Sequence, residues 1–114
     1  WRRLHEKAKR YPWPQSLHRT RAKPLYHEKY IYADGAIREM VLWQLPEKNA
    51  DEKHGVKYRL YYGQPDGTCV IRYDNETGKG DHRHVQGKED PYRFRNVESL
   101  VADFLAAIEK SRRE

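Results

Sequence analysis

Tyr73-Asp74-Asn75-Glu76-Thr77-Gly78-Lys79-Gly80-Asp81-His82-Arg83-His84 gathers acids, cations, two imidazoles and two glycines into twelve residues. His82 and His84 stand two apart, so on a strand both rings project from the same side. An imidazole changes charge near neutral pH and can give or take a proton there. Arginines beside it can hold a phosphoryl group and stabilise the charge that builds on it in a transition state. The stretch follows a segment carrying Arg72, and an earlier segment carries Lys57, Arg59 and Tyr61. Together these residues can cleave RNA without a metal. The reaction needs a base for the 2′-hydroxyl, an acid for the leaving oxygen and cations for the phosphate. The candidate catalytic residues are His82, His84, Arg59, Arg72 and Asp74. The candidate substrate-binding residues are Lys57, Tyr61, Gly78, Lys79, Gly80 and Arg83.

Two other chemistries compete for the same residues. Gly78-Lys79-Gly80 can turn backbone N–H groups toward an anion. It lacks the spacing and the Ser or Thr of a P-loop, so a nucleotide kinase or nucleotidyl transferase is an alternative without a full motif. His82 and His84 with Asp74 or Asp81 give an incomplete zinc set, because zinc takes three or four defined ligands. No metal and no cofactor is therefore assigned. A non-catalytic module that only binds nucleic acid or protein is the third reading. Cys69 falls in the apolar register of its segment and reads as filler.

These groups need a rigid sheet to hold them. Residues 25–32 and 36–45 alternate around Asp34-Gly35, a strong hairpin signal. Residues 56–62 and 68–74 alternate around Pro65-Asp66-Gly67, where proline presets φ and glycine accepts a positive one. Asn75 to Gly80 reads as a loop, residues 82–86 as a short fifth strand and residues 92–95 as a further extended piece. Asn96 is a good helix N-cap. Val97, Leu100, Val101, Phe104 and Ile108 follow at helical spacing. Glu98 at the start and Lys110, Arg112 and Arg113 at the end suit the helix dipole. The fold class is α+β: an antiparallel meander of four or five strands with a C-terminal amphipathic helix on one face. The other face presents Lys57, Arg59, Arg72 and the 74–84 segment.

The chain has 114 residues, enough for one core without staples, and 35% of them are charged. No run approaches the roughly 18 apolar residues of a spanning helix, so no membrane role is expected. A single cysteine and no signal-peptide pattern fit a reducing, cytoplasmic setting. Residues 1–24 hold eight Lys or Arg against one acid, whereas residues 25–114 hold fifteen basic and sixteen acidic residues. The net charge of +6 thus belongs to a basic, aromatic-containing arm (residues 1–24), which phosphate or an acidic partner would attract. Trp1, Leu4, Tyr11, Trp13 and Leu17 of the arm are suited to anchoring it on another surface. Residues 25–114 make a single domain.

Four stretches are specific enough to resemble a known family. They are Gly35-x-Ile37-Arg38-Glu39-x-Val41-x-Trp43-Gln44-Leu45-Pro46, His54-Gly55-x-Lys57-Tyr58-Arg59-Leu60, Arg72 through His84, and Leu100-Val101-Ala102-Asp103-Phe104. Over residues 25–108 the chain resembles the TumE-like toxins of bacterial and archaeal type II toxin–antitoxin modules. The resemblance implies a toxin neutralised by a co-encoded antitoxin, which usually carries a helix-turn-helix DNA-binding domain. It implies a possible oligomer within the toxin–antitoxin complex. By analogy with small toxins of this architecture, it favours an endoribonuclease acting on RNA. It assigns no catalytic residue.

Overall fold

The computed structural model describes residues 22–46, 54–76 and 80–114. The expectations for the arm and for Gly78 and Lys79 lie outside the described residues. Six strands form one antiparallel sheet in sequential order: β1 (Lys23–Ile31), β2 (Ile37–Gln44), β3 (Val56–Gly63), β4 (Cys69–Glu76), β5 (Gly80–Val85) and β6 (Lys88–Pro91). One helix, α1 (Val97–Arg113), follows. Among the described residues no helix is long and apolar enough to cross a membrane.

Alternation sorts the side chains. Val56, Tyr58, Leu60 and Tyr62 of β3 are buried, and with Met40, Leu42, Ile71 and Tyr73 they build the main core. Leu100, Phe104 and Ile108 of α1 complete it. Burying those three helix side chains contributes about 5–9 kcal/mol before conformational entropy is subtracted. Asn96 caps the helix by accepting from the Ser99 N–H at 2.7 Å. At the far end Arg112 donates to the Tyr62 hydroxyl at 2.6 Å and to Asp34 at 3.0 Å, which ties the helix to the first hairpin. The helix face is thus the core side. The opposite face carries a smaller buried cluster of Val41 and Trp43, with Ala22 against it.

The strand count exceeds the expected four or five. β4 runs on to Glu76 and β5 starts at Gly80, so both ends of the expected 75–80 loop are strand, and residues 77–79 lie outside the described residues. The sixth strand is Lys88–Pro91 rather than residues 92–95, which are irregular. β5 and β6 are joined by Gln86-Gly87, with φ of 51° and 84°. Two positive φ angles make the tight primed turn that hairpins prefer. Glutamine seldom takes that conformation, so the dipeptide carries a weaker turn signal than Asp34-Gly35.

Candidate functional site

The strand register brings the expected residues into two rows on the face away from the helix. In one row Arg59 of β3 pairs with Asp74 of β4, which pairs with His82 of β5. In the next, Tyr61 pairs with Arg72, Arg72 with His84 and His84 with Glu89 of β6. Directly opposed residues hold their Cβ atoms about 4.5–5.5 Å apart, so the rows form one continuous patch.

Within the patch the two imidazoles differ. His82 and Asp74 are each only 4% exposed. The His82 Nε2 lies 2.6 Å from an Asp74 oxygen and 3.4 Å from Glu89, while its Nδ1 sits 3.1 Å from the Gly80 carbonyl. Nδ1 is thus within hydrogen-bond reach of a carbonyl, while Nε2 is buried close to two carboxylates. The other Asp74 oxygen lies 3.2 Å from the Arg72 Nε as an ion pair. That leaves the two terminal amino groups of Arg72 without an acceptor among the described residues. His82 and Asp74 thus form a buried support that fixes Arg72. His84 is half-buried and Arg59 is exposed, with the Arg59 charge felt by Tyr61 and Cys69. Glu89, its side chain 42% exposed, pairs with His84 in the β5–β6 register, and its carboxylate lies 3.4 Å from the His82 Nε2.

Other expected residues stand elsewhere. Lys57 is on the same face, but its ammonium donates to the Asn75 carbonyl. Tyr61 folds its ring over Gly63, where a Cβ would come within 2.0 Å of the phenol oxygen. Its hydroxyl reaches the Gly67 carbonyl at 3.4 Å, and burial raises its pKa. The ring therefore points to the 65–68 turn, away from His84. Gly80 serves as the carbonyl partner of His82. Arg83 corrects the sequence reading, because odd and even residues of a strand face opposite ways. It lies on the helix side opposite Tyr73, with its Nε 3.5 Å from Asp90. It cannot share a phosphate with Arg59 and Arg72. It lines instead a concavity of about 870 Å³ between α1 and β5–β6, together with Tyr92, Arg93, Arg95 and Lys110. That groove is on the face away from His84. Cys69 is half-buried, and burial pushes its thiol pKa up, as befits filler rather than a nucleophile.

Sequence reasoning missed Glu89 as a neighbour of His84. It also missed a second imidazole–carboxylate pair. His54 Nδ1 accepts from the Val56 N–H at 3.1 Å, so Nε2 carries the proton and donates to Asp81 at 2.9 Å. The Tyr58 hydroxyl donates to the same Asp81 oxygen at 2.7 Å, and Phe94 stacks on the imidazole at 3.7 Å. Both nitrogens of His54 are committed, so the cluster clamps the start of β3 to β5. No local signal links positions 27 residues apart. Among the described residues no three His, Cys, Asp or Glu side chains are set to hold a metal ion.

A family model described as Toxin TumE matches residues 15–112. The match starts ten residues before the stretch that carries the motif resemblance, inside the basic arm. Comparison with curated proteins and with solved structures finds no match.

Proposed function

The chain belongs to the TumE toxin family, and from that premise we propose that it is an endoribonuclease toxin working without a metal. The row of Arg72, His84 and Glu89, with Arg59 beside it, is the single observation that supports this reading. In the proposed reaction the 2′-oxygen attacks phosphorus and the bond from phosphorus to the 5′-oxygen breaks. One proton leaves the 2′-hydroxyl and one reaches the departing oxygen. These transfers fall to His84 and Glu89, which flank one point on the sheet. Arg59 and the terminal amino groups of Arg72 take the charge on the phosphate. His82 and Asp74 act through Arg72 as positioning residues. The products are a 2′,3′-cyclic phosphate and a 5′-hydroxyl. The neutralising partner is a co-encoded antitoxin with a helix-turn-helix domain. An acidic segment of it laid over Arg59 and Arg72 would mimic the substrate phosphate. Such a substrate places the work in the cytoplasm.

The purified chain, freed of antitoxin, is tested on RNA in the presence of a chelator. Cleavage that ends in cyclic phosphate, and that His84→Ala and Arg59→Ala each reduce at least about 100-fold, is the expected outcome. RNA left intact by a chain that still arrests growth sinks the reading. Activity that needs ATP and magnesium moves the function to nucleotide transfer. Arrest that survives both substitutions leaves a binding module.

A further inference from the structure

The groove between α1 and β5–β6, about 870 Å³, lies on the face of the sheet away from His84. Tyr73, Val85, Tyr92 and Ala107 give it an apolar floor that belongs to the main core. Arg83, Lys88, Arg93, Arg95 and Lys110 line it, against the carboxylates of Asp90, Asp103 and Glu114. Two of those carboxylates are already engaged. Asp90 lies 3.5 Å from the Arg83 Nε, and Asp103 accepts from Arg95 at 2.8 Å and from the Tyr92 hydroxyl at 2.6 Å. Lys88, Arg93 and Lys110 are exposed, and among the described residues none of the three has a side-chain partner. Unmatched positive charge around an apolar floor suits an occupant that combines acids and apolar side chains in one segment.

Charge and shape narrow the choice of occupant. The chain's own basic arm has the wrong sign, with eight Lys or Arg against one acid in residues 1–24, and a second copy offers the same arm. RNA fits poorly as well. A run of phosphates would pass the groove carboxylates, and the floor offers aliphatic groups and a tyrosine held by Asp103 rather than a row of open rings on which bases stack. A peptide can set its acids only where Lys88, Arg93 and Lys110 stand. The groove-lining positions of α1 are 103, 106, 107, 110, 111 and 114, which share one helix face at three- and four-residue spacing. Ala106, Ala107 and Ser111 are small, so a neighbouring backbone can come close. α1 packs over β4, and β6 lies two strands further on. Two strand spacings are about 9.6 Å, which matches the roughly 8–10 Å between packed helix axes. A helix laid over β6 therefore touches both α1 and the sheet.

We propose that this groove takes an acidic amphipathic helix of the neutralising antitoxin. Its apolar stripe lies on Val85, Tyr92 and Ala107, and its carboxylates meet Lys88, Arg93 and Lys110. The proposal rests on the antitoxin of the preceding reading and not on the ribonuclease chemistry. Only β6, four residues long, separates the groove from the patch, so one partner chain can reach both.

The product of the gene adjacent to this chain's own is the probe, titrated calorimetrically against the full chain and co-expressed with it. Affinity for the unaltered chain is expected to fall with added salt. The double variant Lys88→Glu and Lys110→Glu raises the dissociation constant at least about tenfold. Ala106→Trp, which fills the groove without changing its charge, does the same. Both variants still arrest growth, because neither alters the patch, and co-expression rescues them less than it rescues the unaltered chain. Melting curves establish that each variant folds, and Arg93→Glu stands in for one that does not. Undiminished affinity in either folded variant overturns the proposal and leaves the antitoxin reading standing. Loss of growth arrest in a folded variant also overturns it and gives the groove to RNA. A probe that does not bind the unaltered chain removes the antitoxin reading itself, and the proposal with it.

Discussion

His82 and His84 sit two residues apart on the same strand, yet they do different work. The first is 4% exposed, wedged against the Asp74 carboxylate with Glu89 beside it. The second is half-buried on the open row with Arg72. The difference lies in what each ring touches, which their shared spacing cannot report. Substitution should separate them. Breaking the buried pair with His82→Ala takes from Asp74 its nearest partner, while Arg72 stays beside it, and should cost up to about 3–5 kcal/mol in urea unfolding. His84→Ala should change unfolding by less than about 0.5 kcal/mol while removing the proposed ribonuclease activity. Equal loss of stability in the two variants would refute the division of labour.

At the scale of elements, the β3–β4 pair decides where the cations stand. Asn75 is fully buried at its end. Its side chain accepts from the Tyr58 N–H at 3.0 Å and donates to the Val56 carbonyl at 2.7 Å, standing in for a rung of the ladder. Asn75→Ala leaves two buried backbone groups without partners and should cost about 2–4 kcal/mol, read from the denaturation midpoint. A neutral result would mean that the strands hold their register without it. The four principal strands and α1 were legible in the sequence because each carries a long period and a bounded turn. β6 was not, since three charged residues and a proline make no apolar period and Gln86-Gly87 is an uncommon form of its turn. With β6 went Glu89, so the site lost one member for want of an element.

Across the whole molecule, a pair between β3 and β5 and the carboxylates of two turns give stability a pH signature. Burial first, and then the hydrogen bond to Asp81, raise the Tyr58 phenol above its ordinary value near 10. The folded chain therefore holds that proton more tightly than the unfolded one. The resulting stabilisation is complete below pH 10 and is lost as the pH rises beyond it. The backbone N–H of Ala36 lowers the Asp34 carboxyl, and that of Thr68 lowers Asp66, so their contributions hold at neutral pH and vanish as the pH falls below about 3.8. Melting temperature should drop between about pH 9.5 and 11, and Tyr58→Phe should flatten that drop while costing about 1–2 kcal/mol at pH 7. An unchanged alkaline slope in Tyr58→Phe would assign the drop to other groups.

The amino-acid sequence alone determined the α+β class, the meander, the capped helix and the family likeness. All of these are written in short-range periods, turns and contiguous motifs. It also put Arg59, Arg72, Asp74, His82 and His84 on a common face, because alternation along paired strands follows from spacing once the pairing is known. Tertiary structure decided which of them is open. Burial of His82, capture of the Lys57 ammonium by a carbonyl, the turn of Tyr61 over Gly63 and the removal of Arg83 to the helix side all depend on contacts between strands. Such contacts are set by register and by the packing of neighbours far away in the chain, and a linear pattern of residue types carries no record of them.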